Sequence, residues 1–210
     1  MDLIKETEIN AILRDAYNIY HYGSFVYGTF KDNVSDLDYI VIVSDDMDWV
    51  NALQYECENR QYTIYTAKEW QKMLDDCSVP AIESHFLPKK FVVKESVVFV
   101  PNISKSKIRN MFSKTASNSF VKCKKKLTVA DSYDPKIAKK SLWHALRIID
   151  FGTQIMKYGK IINYASMNHM YDEIINSDSV DWVYFKDKYQ PVYNELKTKF
   201  RIAEKETEIL

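Results

Sequence analysis

The chain has 210 residues, of which 46% are hydrophobic, 14% aromatic and 28% charged. This length and composition fit one sizeable globular unit with a buried core or two small ones, and they argue against a disordered tail. Lysine plus arginine and aspartate plus glutamate both number 29, so the net charge is zero and a nucleic-acid or membrane contact would require a local patch.

Helical and strand patterns alternate over the first hundred residues. Apolar residues at near-helical spacing predict an amphipathic helix over 3–20. The run L-D-Y-I-V-I-V, from Leu37 to Val43, predicts a buried strand. The following segments predict, in chain order, a helix over 48–58, a strand over 60–66, a helix over 68–76, and a hairpin or a pair of short strands over 91–100.

After Pro101 the strand-like alternation stops and long helical periods begin. Pro135 suits the first turn of a helix, and Gly159 suits the position just after a helix. We therefore expect two parts, an α/β region over 1–101 and a helical region over 102–210. The predicted helices of the second part span roughly 104–129, 135–158, 164–176 and 183–208.

The segment from Tyr22 to Val43 carries the residues of greatest chemical interest. Asp36 and Asp38 are separated by one residue at the start of the predicted strand, so both carboxylates are expected on one face. Two neighbouring acids beside an apolar run favour a bound divalent cation such as Mg²⁺. Gly23 would let backbone amides approach a triphosphate, and Ser24 offers it a hydroxyl and an N–H group.

This arrangement resembles the motif of the DNA polymerase β-like nucleotidyltransferase superfamily, in which a Gly-Ser or Gly-Gly pair at the head of a helix precedes Asp-x-Asp on a strand. The full set of matching positions looks like the YcgL-like branch, a polymerase β family of RNA repair operons. Two further blocks resemble that branch, one at 139–147 with 157–161 and a weaker one at 78–88. The motif between Tyr22 and Val43, which precedes both of these blocks along the chain, matches the branch at Gly23, Ser24, Tyr27, Gly28, Ser35, Asp36 and Asp38.

The resemblance implies an α+β fold, with a nucleotidyltransferase core of mixed β-sheet and flanking helices followed by a helical region that closes the active-site cleft. It also implies Mg²⁺- or Mn²⁺-dependent transfer of a nucleoside monophosphate from an NTP to a hydroxyl, with pyrophosphate leaving. In that case Asp36 and Asp38 hold the metal ions, and Gly23 and Ser24 hold the β and γ phosphates.

The superfamily also places a third carboxylate on a neighbouring strand, where it helps to activate the acceptor. The predicted strand over 60–66 contains no Asp or Glu, which is a departure from that pattern. The nearest candidates are Glu58, just before that strand, and Glu83, within the third matching block. We take Glu83 as the predicted third catalytic residue.

A basic stripe is predicted on the helix that begins near Pro135. Lys136, Lys140, His144 and Arg147 follow one another at helical intervals. The stripe is either a solvated basic face with an interfacial histidine or a surface that binds the triphosphate or the acceptor. Under the second interpretation Lys140, His144 and Arg147 are nucleotide-binding residues.

The densest basic cluster of the chain precedes that helix. It consists of Lys122, Lys124, Lys125 and Lys126, with Lys114 upstream. Such a run is usually a solvated face, and the alternative is that it binds the phosphate backbone of an RNA or DNA acceptor.

The cysteines and the first residues indicate a reducing cytoplasmic location without membrane contact. Cys57, Cys77 and Cys123 are odd in number and far apart, with no ligand spacing for zinc. The charged first ten residues do not form a signal peptide, and no apolar run approaches the length of a membrane span.

The acceptor is the least constrained part of the predicted reaction. By association with the family we expect an RNA 3′ end, in repair or tailing. A protein hydroxyl, as in AMPylation, is the alternative substrate. The absence of an acid between 60 and 66 also motivates a different class of function, a module that binds a nucleotide or RNA without turnover.

Overall fold

The computed structural model describes residues 3–47 and 53–206, and these divide into two compact units with the boundary between Asn102 and Ile103. The first contains a five-stranded sheet with the order β3-β4-β2-β1-β5. Only the β2–β4 pair is parallel, so the sheet is mixed. Its strands are β1 (Asn18–Tyr22), β2 (Leu37–Val43), β3 (Leu53–Cys57), β4 (Arg60–Thr66) and β5 (Val92–Glu95).

Helices flank this sheet and make up nearly all of the regular structure of the second unit. In the first unit they are α1 (Leu3–Asp15), α2 (Ser24–Tyr27), α3 (Ala67–Asp75) and α4 (Val79–His85). In the second unit they are α5 (Lys105–Thr128), α6 (Pro135–Tyr158), α7 (Asn168–Ile175) and α8 (Trp182–Glu206). The predicted α+β class, a mixed sheet with helices followed by a helical region, is confirmed. Within the part of the chain described, no helix combines the length and the apolar character that a membrane crossing requires.

The two faces of the sheet carry different residues. Side chains of α1 pack with Val41 and Ile64 on one face, in a buried apolar cluster. On the other face Trp70 of α3 packs against the rings of Tyr20 and Tyr65. Because side chains alternate along a strand, Asp38 of β2 belongs to this second face, four residues before Ile42. The sheet therefore keeps its acidic position away from the α1 cluster.

In two places where the sequence predicts a helix, the structure has a strand. The helix predicted over 3–20 ends at Asp15, and β1 follows because Ile19 joins the apolar cluster and buried Asn18 is bound to the backbone at 96 and 97. The helix predicted over 48–58 is also wrong for its described part, since 53–57 form β3, and 48–52 lie outside the described residues. A left-handed turn at Glu58 (φ 55°) returns this chain segment into β4.

Two further boundaries differ from prediction. The hairpin predicted over 91–100 is a single strand, β5, because the following backbone N–H groups of Ser96 and Val97 donate to the Asn18 side chain instead of a strand. The helix predicted from 164 begins only at Asn168, since Gln154 binds the backbone N–H groups of Ile162 and Asn163 in the preceding loop. Helix α4 had no counterpart in the sequence prediction.

The helical unit is built on α5 and α6, which pack along each other, with α8 against both. Pro135 begins α6 and Gly159 ends it in the left-handed conformation (φ 68°), as predicted. At Gly152 a Cβ atom would lie 2.6 Å from the ring of Phe200, so α6 and α8 approach at a distance that only glycine permits.

Candidate functional site

Gly23 and Asp38 are in direct contact at the junction of β1, α2 and β2. Gly23 has a positive φ of 68°, and a Cβ atom built on it would lie 2.0 Å from Oδ2 of Asp38. Tyr22, immediately before Gly23, pairs with Asp38 in the antiparallel register of β1 and β2. The sheet register thus places the Asp38 carboxylate against a position where only glycine fits.

The short helix α2 begins directly after this contact. Its carbonyl at Gly23 accepts hydrogen bonds from the N–H groups of Val26 and Tyr27, and Gly28 ends it in the left-handed conformation (φ 74°). Helical geometry gives the N–H groups of Ser24 and Phe25 no acceptor inside the helix. These donors and the half-buried Ser24 hydroxyl therefore belong to the turn that directly follows the contact between Gly23 and Asp38.

Asp36 and Asp38 lie at the start of β2 with Gln61 beside them. Asp36 is exposed, Asp38 is half-buried, and Gln61 of β4 is the parallel partner of Asp38. The Gln61 amide donates a hydrogen bond of 3.3 Å to Oδ2 of Asp36. The residue of the neighbouring strand that lies beside the two aspartates is thus an amide and not a carboxylate.

The same row of the sheet continues to an acid that sequence reasoning missed. Glu56 of β3 pairs with Gln61, so Asp38, Gln61 and Glu56 lie side by side on one face. With strands about 5 Å apart, the backbones of Asp38 and Glu56 are separated by about 10 Å. Glu56 is exposed. The signal that identifies it is the alternation over 54–57, in which Tyr55 and Cys57 pack against the apolar cluster under α1 and Gln54 and Glu56 belong to the other face.

The two carboxylates considered from the sequence have other surroundings. Glu58 is exposed in the turn between β3 and β4. Glu83 of α4 is only 1% exposed and accepts a hydrogen bond of 2.6 Å from the hydroxyl of Tyr27, the last residue of α2. Glu83 therefore ties α4 to the end of the Gly-Ser turn, and its catalytic role stays a prediction.

The donor set at the start of β2 fits a divalent cation. Mg²⁺ is usually held by one or two carboxylates together with waters and substrate phosphates, and Asp36 and Asp38 provide two. Within residues 3–47 and 53–206, no three His, Cys, Asp or Glu side chains are grouped closely enough to hold a metal ion. The remaining ligands would accordingly come from water and phosphate oxygens.

Within the helical unit, the predicted stripe on α6 passes from exposed to buried residues. Lys136 and Lys140 are exposed, His144 is half-buried, and Arg147 is only 2% exposed. The Arg147 guanidinium lies 4.8 Å from the ring centroid of Phe151, which holds the cation against an aromatic face. The stripe is therefore solvated only at its first two residues.

His144 is neutral at physiological pH. Burial, followed by the positive charges of Arg147, Lys140 and Lys122, lowers the pKa of the imidazole to about 3. Nη2 of Arg147 lies 3.2 Å from Nδ1 of His144, so the neutral ring accepts a hydrogen bond at Nδ1 from the guanidinium. His144 thus carries no charge, while the three cations that act on it, Lys122 of α5 and Lys140 and Arg147 of α6, are positive.

The predicted lysine cluster lies in the last two turns of α5. Lys122, Lys124 and Lys125 are exposed, and Lys126 is half-buried. Over its 24 residues α5 contains no Asp or Glu. Its cations are Lys105, Lys107, Arg109, Lys114, Lys122, Lys124, Lys125 and Lys126.

Comparisons with known proteins add little to these observations. No protein-family model matches the chain, and no curated protein matches it. One solved structure that it resembles is a nucleotidyltransferase-like protein from Exiguobacterium sibiricum 255-15, at 8% sequence identity. That match covers 96% of this chain and 74% of the other, with a TM-score of 0.30. A likeness at this level carries no argument about activity, so the case for function depends on the residues themselves.

Proposed function

We propose that this chain is a divalent-cation-dependent nucleotidyltransferase that transfers a nucleoside monophosphate from an NTP to a hydroxyl acceptor. The observation that carries the proposal is the contact between Gly23 and Oδ2 of Asp38. It joins two halves of one motif, a turn with amide and hydroxyl donors for phosphate and a pair of carboxylates for a cation. The resemblance of these positions to the polymerase β-like superfamily, and to its RNA repair branch, supports the same assignment.

Each residue of the motif has a role in this reaction. Asp36 and Asp38 would hold Mg²⁺, which when bound neutralises the phosphates and polarises the reacting phosphoryl group. Ser24 and the N–H groups of the first turn of α2 bind the β and γ phosphates. The acceptor oxygen forms a bond to the α-phosphorus, the bond from that phosphorus to the bridging oxygen of the β-phosphate breaks, and pyrophosphate leaves.

The proton of the acceptor hydroxyl needs a base, and we assign it to Glu56 rather than to the buried Glu83. Glu56 is exposed and shares the face and the row of Asp38. Glu83 is almost fully buried and already accepts a hydrogen bond from Tyr27. Gln61, which lies between Asp38 and Glu56, carries no charge and orients Asp36 through its amide.

The acceptor that the helical unit favours is an RNA 3′ end. Helix α5 presents exposed Lys122, Lys124 and Lys125 without a neighbouring acid on the same helix. A surface of this kind binds a phosphate backbone without sequence preference. Lys140, His144 and Arg147 form a second basic group, for which the triphosphate or the acceptor is the proposed ligand.

Gln61 also favours a second candidate function, nucleotide or RNA binding without turnover. An amide at this position cannot hold a cation as a carboxylate does, and its hydrogen bond to Asp36 occupies one carboxylate oxygen. In that case the Gly-Ser turn and the basic helices still bind ligand, but no pyrophosphate is released.

One experiment separates the two candidates. The chain is incubated with RNA, Mg²⁺ and each of the four radiolabelled NTPs, and both pyrophosphate release and label on RNA are measured. We expect both signals, abolished by EDTA and reduced at least about a hundredfold in Asp36→Asn and Asp38→Asn. The matched control is Asp45→Asn, an exposed carboxylate that binds the N–H of Lys68 after β2 instead of lying at its start.

Four outcomes decide the proposal. Pyrophosphate release that is unchanged in Asp36→Asn and Asp38→Asn overturns the assigned site. Binding of NTP without any release by the wild-type chain supports the binding module. Label on the protein in place of the RNA changes the acceptor to a protein hydroxyl. Label on RNA that disappears after removal of the 3′ hydroxyl supports the RNA 3′ end.

A further inference from the structure

A groove of about 280 Å³ between α5 and α8 is lined by polar and cationic side chains only. All of them belong to the helical unit, and none is part of the site proposed above. Arg109 is contributed by α5 and the other four by α8. The lining residues are Arg109, Asn194, Lys197, Thr198 and Arg201.

Aromatic rings hold two of the three cations in place. The Arg109 guanidinium lies 4.9 Å from the ring centroid of Phe200, and Nζ of Lys197 lies 5.3 Å from that of Tyr193. These contacts reduce the side-chain entropy lost when an anion binds. The groove is therefore arranged for an anion before the anion arrives.

The positive charge of the groove is only partly compensated. Nη1 of Arg109 is buried and makes no hydrogen bond, and the carboxylate of Glu204 lies 3.9 Å away, beyond hydrogen-bond distance. The carboxylate of Glu204 thus lies near one of the three cations, Arg109. A phosphate group in the groove would add negative charge beside the three cations.

The direction of α5 favours a chain of phosphates over a single small anion. Lys124 follows Arg109 on this helix at a rise of about 22 Å, and it is rotated by only about 60° beyond four full turns. The two cations consequently lie on the same flank of α5, with no acidic residue of the helix between them. A ligand with one phosphate reaches one of these positions, whereas a polynucleotide strand reaches both.

We propose that the groove between α5 and α8 binds the phosphate backbone of a single RNA strand, which continues along α5 to the lysine cluster. This deepens the proposed function, on which it rests for the choice of RNA, by adding a second binding surface for the acceptor. It requires neither Mg²⁺ nor turnover, so its test is independent of the sheet unit.

The test is fluorescence anisotropy of a labelled oligouridylate of about 12 nucleotides with the full chain, in EDTA and over a series of salt concentrations. We expect the double variant Lys197→Gln, Arg201→Gln to weaken binding at least about tenfold. The slope of log K against log salt is expected to become shallower by about 1.4, about 0.7 for each phosphate contact that is lost. The matched control is Lys199→Gln, Lys205→Gln, which removes the same charge from α8 outside the groove.

The control is expected to lose less than about threefold. Equal loss in the two double variants, or no binding by the wild-type chain, overturns the proposal. It is also overturned if inorganic phosphate or polyglutamate displaces the oligonucleotide at equal charge concentration, because the groove then binds any anion. The double variant Asp36→Asn, Asp38→Asn is expected to bind RNA like the wild type. Loss of pyrophosphate release with RNA binding intact, or the reverse, shows which proposal failed.

Discussion

The sheet unit holds its candidate ligands by backbone geometry, whereas the helical unit spreads its charges over long helix faces. In the first, Asp38 contacts Gly23 so closely that no side chain fits between them. In the second, α5 carries exposed lysines that are spread over several turns of its 24 residues. One substitution in the first unit should therefore abolish function, while substitutions in the second should weaken binding in steps.

The largest effect is expected from Gly23→Ala. The new methyl group would overlap Oδ2 of Asp38 and would also impose a positive φ on alanine, a strain of about 1–3 kcal/mol. Pyrophosphate release should fall at least about a hundredfold, because the carboxylate is displaced from the Gly-Ser turn.

A control for strain alone comes from the other unit. Gly159→Ala at the end of α6 meets the same φ of 68° without belonging to the motif. It should lower the free energy of unfolding by a similar amount and leave the specific activity of the folded chain unchanged. Equal activity in Gly23→Ala and Gly159→Ala would show that the contact with Asp38 has no functional role.

The comparison also explains what the sequence allowed us to predict. Long helices such as α5 and α6 show their periods over many turns, and their bounds were predicted to within one residue. Spacing along the chain also singled out Gly23 and Asp38, which the structure brings into contact, and their roles stay predictions. Local patterns thus sufficed for these long helices, whereas the short helix α4 was missed.

The failures share a different cause. Strand β3 was predicted as part of a helix because five residues are too few to distinguish the strand period of two residues from the helical period of 3.6 residues. Glu56 was missed with it, since its place beside Gln61 depends on pairing between strands. The hydrogen bond between Tyr27 and Glu83 connects residues 56 positions apart in the chain, so no local sequence pattern predicts it.

The second prediction tests which carboxylate of the sheet unit takes the proton of the acceptor hydroxyl. Glu56→Gln should lower the rate of nucleotide transfer by about a hundredfold, because it removes the proposed base. Unfolding should be unaffected, as the side chain is exposed. The matched control is Glu58→Gln, two residues later in the turn, with little effect on either property.

Glu83→Gln gives the complementary measurement. The amide oxygen of the variant still accepts the hydrogen bond from Tyr27. If the role of Glu83 is purely structural, the rate of nucleotide transfer is therefore the same in Glu83→Gln as in the wild type. A rate that falls in Glu83→Gln and not in Glu56→Gln would restore Glu83 as the catalytic carboxylate.

The third prediction concerns the pH dependence of the helical unit. The pKa of His144 is lowered to about 3 by burial and by Arg147, Lys140 and Lys122, while in the unfolded chain it is about 6.5. Its contribution to stability is therefore complete above about pH 6.5 and is lost as the pH falls toward 3. At pH 5, protonation of His144 in the unfolded chain should lower the free energy of unfolding by at most roughly 2 kcal/mol relative to neutral pH.

Denaturant unfolding of the wild type and His144→Gln at about pH 7 and pH 5 measures this contribution. The decrease between the two pH values should be smaller in the variant, because glutamine does not titrate. Burial also lowers the pKa of both histidines in the sheet unit, His21 and His85, so the double variant His21→Gln, His85→Gln measures the corresponding contribution of the other unit. A decrease that is identical in the wild type and His144→Gln would place the titrating group elsewhere.

The smallest effect is expected from Lys124→Gln, Lys125→Gln in the cluster at the end of α5. Both side chains are exposed, so the fold should be unchanged, and each phosphate contact contributes only part of the binding energy. RNA affinity should fall by about tenfold, and transfer at saturating RNA should be unchanged because only acceptor binding is weakened. Charge spread over a helix predicts this graded loss, in contrast to the abrupt loss in Gly23→Ala. If this double variant instead abolished transfer at saturating RNA, the lysines would take part in the reaction itself, and the division of labour between the two units would be wrong.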